Sequence, residues 1–182
     1  SSVPGSIGGA IYGNAGAFGA DISDSLRSVD ILYRYQGEKK LTVDMLRYTY
    51  RSSILKKEKP EMVILSSIFN ATKSSREEAW TKLTKNIEKR QATQPTGASF
   101  GSTFKNPAGE KAGQLLEAVG LKGYSEGHAR FSPLHANFII NDGNSSANEY
   151  MKLIKLAQNK VLEQFGIQLE LEIELLGNFD DE

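Results

Sequence analysis

The segment Gly97-Ala-Ser-Phe-Gly-Ser-Thr-Phe-Lys-Asn-Pro107 concentrates groups that do chemistry. It holds three hydroxyls (Ser99, Ser102, Thr103), two glycines, a lysine and an amide in eleven residues. Gly97 and Gly101 allow backbone angles that a Cβ disfavours and let a ligand approach closely. Ser102 follows a glycine, so its hydroxyl can be presented in the open. Lys105 and Asn106 add donors, and Pro107 halts the segment. These parts suit a polar, anionic small molecule. Composition alone favours the plainer reading, a Ser/Gly loop between two helices. A second segment, Tyr48-Thr-Tyr-Arg-Ser-Ser-Ile-Leu-Lys56, sets Arg51 beside a tyrosine and serines. Its planar fork could orient a carboxylate, although taken alone a solvated loop arginine fits better. Near the end, Glu170, Glu172 and Glu174 alternate with Leu169, Leu171, Ile173 and Leu175. That is an ordinary polar outer face, or one in which a glutamate faces a cleft. The run Val3 to Gly19 is rich in glycine and alanine. Backbone this bare lets a flat ligand or another segment lie against it. It lacks both the dinucleotide G-x-G-x-x-G spacing and a Walker lysine, and small-residue helix or turn packing explains it equally well.

The elements that must carry these groups follow from periodicity. Val29, Ile31, Tyr33 and Tyr35 alternate as a half-buried strand, turned at Gly37-Glu38 toward Leu41-Thr-Val43. Met62–Phe69 is nearly continuous in apolar residues, the pattern of a central strand. Ser75-Arg-Glu-Glu78 reads as a capping box for a helix to about Arg90, with Trp80, Leu83 and Ile87 at helical spacing and Trp80 in the core. Ala112, Leu115, Leu116 and Val119 mark a short helix closed by Gly120. Asn137–Asn141 reads as a buried strand. Ser146 and Glu149 cap a helix with Tyr150, Leu153, Ile154, Ala157 and Val161 inward, stopped by Gly166. Leu169–Leu175 is the last strand.

Composition bounds the function. The chain has 182 residues, enough for one domain with part of another. Lys+Arg and Asp+Glu are both 22, which disfavours generic nucleic-acid or membrane-surface binding. There is no cysteine and there are two histidines, so thiolate chemistry is excluded and structural zinc disfavoured. No apolar run reaches the roughly 20 residues of a membrane span, and no signal peptide is visible. A soluble cytoplasmic protein is the expectation.

Several motifs, in order, resemble one family. They are Val-Pro-Gly-Ser-Ile-Gly-Gly-Ala-Ile-Tyr with Asn-Ala-Gly-Ala-Phe-Gly, Tyr50-Arg-Ser-Ser, Gly-Ser-Thr-Phe-Lys-Asn-Pro, Ala112 to Gly123, His135 to Asn141 and Phe165 to Glu172. Together they are similar to the UDP-N-acetylenolpyruvoylglucosamine reductases, FAD enzymes that use NADPH to make UDP-N-acetylmuramate for the bacterial cell wall. The resemblance implies an α+β fold. Residues 1–72 would be the C-terminal part of a flavin-binding domain, and 73–182 a small α/β substrate-binding domain with a mainly antiparallel sheet. It implies that Ser102 is the proton donor, Arg51 the group that engages the enolpyruvyl carboxylate, and Glu172 the catalytic glutamate. Asn106, Arg90, His135 and Tyr50 would contact the nucleotide sugar. Gly5, Ser6, Ile7, Gly9, Asn14 and Gly16 would lie on the FAD-binding surface. The interval from Arg51 to Ser102 is too short for the extra tyrosine-bearing loop of one subgroup. The family's chain begins well upstream, so most of an N-terminal FAD domain is expected as a partner, intramolecular or associated. A different class of reading is a nucleotide-sugar binding module without redox activity. The family's Gly-Gly-Ala reads Gly127-His128-Ala129 here, which would strain His128 if that position needs positive φ.

Overall fold

The computed structural model of the chain describes residues 5–177. Its elements are α1 (Ile7–Gly13), β1 (Gly16–Ala17), β2 (Ala20–Asp21), β3 (Leu26–Tyr33), β4 (Gly37–Thr42), α2 (Ile54–Glu58), β5 (Met62–Phe69), α3 (Arg76–Thr93), α4 (Ala112–Ala118), β6 (Ser125–Glu126), β7 (Ala129–Phe131), β8 (Ile139–Asn141) and α5 (Ala147–Phe165). Every strand pair is antiparallel, and helices and sheets mix throughout, as an α+β fold requires. Two compact units divide between Ile87 and Glu88, inside α3. Among the described residues, no helix is long and apolar enough to cross a membrane.

In the first unit, β3 is the centre of a sheet of order β4-β3-β5. Val29 and Ile31 point inward from β3 and pack with Leu41, Ile11 of α1, Leu46 and Leu55 of α2. The antiparallel turn comes before Gly37, whose φ of 71° opens β4, and Tyr35 lies outside the strand with 81% exposure. β5 is an edge strand among the described residues, not the central one its composition predicts. A continuous apolar run needs a layer on both faces. Here one face meets the core while Val63, Leu65 and Ile68 are exposed on the other. α3 starts as expected: Glu78 N–H donates to Ser75 Oγ at 3.1 Å and Ser75 N–H to the Glu78 carboxylate at 3.4 Å. Trp80, expected in the core, is 66% exposed. α3 buries no residue, because its apolar stripe is too thin among Lys, Glu and Arg to draw a layer over an indole.

In the second unit, Leu115 and Leu116 of α4, Phe131 of β7, Ile139 of β8 and Leu153, Ile154, Ala157 and Val161 of α5 form one core with Phe104, Leu121 and Leu169. α5 carries the predicted capping box between Ser146 and Glu149, and Gly166 ends it at φ 67°. The predicted last strand is reduced to one bridge, Phe104 with Leu171. Leu169 is buried and Leu171 and Ile173 pack on the core, but Leu175 is exposed. The partner backbone is a short segment bounded by Gly101 and Pro107, so the ladder cannot extend. The positive φ of the β6–β7 turn falls on Gly127 (55°) and not on His128, so the expected strain at His128 is absent.

Candidate active site

The glycine-rich segment is held between two backbones. Thr103 N–H donates to Asn137 O at 2.8 Å on one side, and Glu172 N–H donates to Thr103 O at 2.9 Å on the other. Lys105 N–H donates to Glu170 O at 2.9 Å. Bridges pair Ser102 with Phe138 and Phe104 with Leu171. Gly97 and Gly101 take φ of 115° and 84°, angles open to glycine, and let the chain enter this arrangement. Phe104 anchors it in the core, leaving Ser102 partly exposed. Ser102 and Glu172 thus come to neighbouring backbones from distant parts of the sequence. Lys105 pairs with Glu170 at 3.1 Å. Asn106 is exposed, and its Oδ1 accepts from Ala112 N–H at 3.0 Å, capping α4 where Lys111 makes no side-chain cap.

His135 is half-buried, edge-on to Phe138 with ring centroids 4.9 Å apart. Its Nδ1 accepts from Asn137 N–H at 3.2 Å. Burial, the largest cause, lowers its pKa, so the ring is neutral with its proton on Nε2, a donor. The ring lies over Gly113, where a Cβ would come within 2.8 Å of Cε1. Arg90 lies in the last turn of α3 and donates to Gln94 Oε1 at 2.6 Å.

In the first unit, Tyr50 and Arg51 form the tip of a turn closed by Thr49 and Ser52, whose backbones exchange hydrogen bonds of 3.0 and 3.1 Å. Arg51 takes φ 54°, a left-handed conformation that costs a non-glycine residue about 1–2 kcal/mol. Its guanidinium donates to Gly16 O at 2.7 Å and lies 5.0 Å over the Tyr50 ring. A Cβ on Gly16 would sit 2.8 Å from Arg51 Nη1. Ser53 caps α2 and donates to Tyr12 O at 2.7 Å, tying the turn to α1.

The other predicted cofactor residues fall into two groups. Gly5, Ser6, Ile7 and Gly9 are exposed on and before α1, with Ser6 Oγ accepting from Gly9 N–H at 3.1 Å. Asn14 is buried in a left-handed cap, where its amide donates to Asp21 and Thr49 and accepts from Ser23. Asn14 and Gly16 are therefore part of the frame around Arg51. Asn137, expected to open a strand, lies in the turn before β8, which begins at Ile139.

The C-terminal domain of UDP-N-acetylenolpyruvoylglucosamine reductase matches residues 91–176. A reductase of that name from Bacillus pumilus is 41% identical over 176 residues, 96% of this chain and 58% of the relative. One from Chloroflexus aggregans is 40% identical across 96% of this chain and 60% of its own length. One from Bacillus licheniformis is 38% identical across 96% of this chain and 95% of the relative. The crystal structure of UDP-N-acetylenolpyruvylglucosamine reductase from Thermus caldophilus superimposes with a TM-score of 0.82 at 30% identity, over 95% of this chain and 61% of that one. The chain spans 58% of the Bacillus pumilus relative's length. With matches of this extent, the chain belongs to the UDP-N-acetylenolpyruvoylglucosamine reductase family.

Proposed function

We propose that this chain serves the FAD-dependent, NADPH-consuming reduction of UDP-N-acetylglucosamine enolpyruvate to UDP-N-acetylmuramate, a step of peptidoglycan precursor synthesis in the cytoplasm. Residues 1–72 contribute to the flavin side and 73–182 bind the nucleotide sugar. The observation that carries this reading is the pairing of Thr103 with both Asn137 and Glu172, which sets Ser102 and Glu172 on adjacent backbones. Exposed Gly5, Ser6, Ile7 and Gly9 fit a flat ring system: a Cβ on Gly9 would meet only Ser6 Oγ within 4 Å, and Ile7 is 58% exposed. Reduced flavin, when bound, supplies hydride to C3 of the enol ether. Negative charge then spreads from C2 to the carboxylate. Arg51, held by Gly16 O and Tyr50, offers that carboxylate a planar cation already oriented. Ser102 delivers the proton to C2, which a weak acid can do when it is positioned there. Glu172, whose N–H donates to Thr103 O, is the acidic partner in this reading. His135 donates from Nε2, and Asn106 and Arg90 hold the nucleotide sugar with it.

Ser102→Ala in the flavin-loaded enzyme tests this. As proton donor, Ser102 is dispensable for flavin reduction by the nicotinamide cofactor. Its loss slows reoxidation by the enolpyruvyl substrate by roughly 10²–10⁴-fold. Ser102→Cys recovers part of the rate. Stopped-flow absorbance separates the halves, and equal slowing of both, or none, returns Ser102 to a loop residue. A second reading is binding of the nucleotide sugar without redox chemistry. Flavin absorbance in purified protein separates the two readings.

A further inference from the structure

We propose that Asn137 is a positioning residue that fixes Ser102 for proton transfer. This rests on the reading of Ser102 as the proton donor. Asn137 is 3% exposed, with Ala136, Phe138 and Ile139 also buried beside it. An amide in such surroundings persists only when its donors and acceptor are satisfied. Here Phe104 takes one donor and the acceptor. Asn137 Nδ2 donates to Phe104 O at 2.8 Å, and Asn137 Oδ1 accepts from Phe104 N–H at 2.9 Å. The side chain acts as a rung of sheet, holding both backbone groups of Phe104 at once. The main chain of Asn137 continues the ladder, its carbonyl accepting from Thr103 N–H at 2.8 Å. Thr103 and Phe104 directly follow Ser102, so three hydrogen bonds from one residue set the C-terminal side of the proton donor. On its other side stands Gly101 at φ 84°, which has no Cβ to restrict it. The position of Ser102 therefore depends on its C-terminal side, where Asn137 supplies these three bonds and Glu172 N–H a fourth, to Thr103 O.

The residue type is dictated by this geometry. Aspartate offers no donor to Phe104 O when ionised. Leucine offers neither donor nor acceptor. Glutamine is a methylene too long for a well-packed interior. A neutral carboxylic acid, however, reproduces the amide: its O–H can donate to Phe104 O while its C=O accepts from Phe104 N–H. A buried, unpaired carboxyl is driven toward that neutral form.

The test compares Asn137→Asp, Asn137→Leu and Ser102→Ala in the flavin-loaded enzyme. Flavin reduction by the nicotinamide cofactor should keep its rate in all three. Reoxidation by the enolpyruvyl substrate should slow at least tenfold in Asn137→Leu at every pH. In Asn137→Asp it should slow at high pH and recover toward the unsubstituted enzyme's rate as the introduced carboxyl protonates. Hydrogen exchange at the Phe104 amide, measured against the unsubstituted protein at the same pH, should follow the same pattern. If Asn137→Leu does not fold, the pH recovery of Asn137→Asp carries the test alone. Faster exchange at Phe104 with unchanged reoxidation makes Asn137 a purely structural residue and overturns the inference, while a slow Ser102→Ala leaves the proton-donor reading standing. Unchanged reoxidation in Ser102→Ala overturns that reading and the inference with it.

Discussion

At the scale of single residues, the surroundings shift the pKa values of the two histidines in opposite directions. His128 Nδ1 lies 2.9 Å from Asp142 Oδ2. That hydrogen bond, and then the charge of Asp142, raise the pKa of His128 above its usual 6.5. The same hydrogen bond lowers Asp142 below its usual 3.8. A raised histidine contributes stability that is complete below its unfolded pKa and is lost as pH rises through the folded one. A lowered aspartate contributes stability present above its unfolded pKa and lost as pH falls through the folded one. The clasp is thus whole between about pH 4 and 6.5, the two reference values. His135 behaves the other way: burial lowers it, so its contribution is present above 6.5 and lost as pH falls through its folded value. NMR titration of the imidazoles should give a midpoint above 6.5 for His128 and below it for His135. His128→Gln should remove the higher midpoint and leave the lower. The reverse order would mean that the clasp and the packing over Gly113 are not formed in solution. Neither environment is readable from composition, because Asp142, Phe138 and Gly113 reach the histidines only through the fold.

At the scale of elements, the β6–β7 hairpin is tied to the start of α5 through one carboxylate. Glu149 accepts from Ser146 N–H at 2.7 Å, closing the capping box, and from His128 N–H at 3.2 Å. Gly127 lies under it at φ 55°, and a Cβ there would overlap Glu149 Oε1. Gly127→Ala should therefore cost about 1–2 kcal/mol for the left-handed backbone and about 1 kcal/mol more for the disturbed cap. Urea unfolding measures this, and a loss near zero would show the tie to be absent. The capping boxes of α3 and α5 and the stop at Gly166 were legible because they depend on residues a few positions apart. The place of β5 and the exposure of Trp80 were not. Local sequence encodes that a residue is apolar, but another layer decides whether it is covered.

At the scale of the whole molecule, each unit has its own core. Leu116 is fully buried in the second, and Val29 and Ile31 are fully buried in the first. Leu116→Ala should destabilise the second unit by about 2–5 kcal/mol. Hydrogen exchange should quicken at the β7 amide of Phe131 and keep its rate at the β3 amides of Val29 and Ile31. Equal loss of protection at both would mean that the two cores unfold as one cooperative body.

The sequence by itself determined the family, the elements with local start and stop signals, and the residue types able to do the chemistry. Ser102 in a glycine-flanked run, Arg51 beside Tyr50 and a row of alternating glutamates were all visible in one dimension. Tertiary structure decided which of these are placed and by what. It brought the backbone of Glu172 to Thr103 O, bent Arg51 into a left-handed turn against Gly16 O, and turned Asn137 into a rung under Phe104. The physical reason is reach. Capping and periodicity act over three or four residues, whereas these contacts join backbones that meet only after loop closure and burial have brought distant segments together.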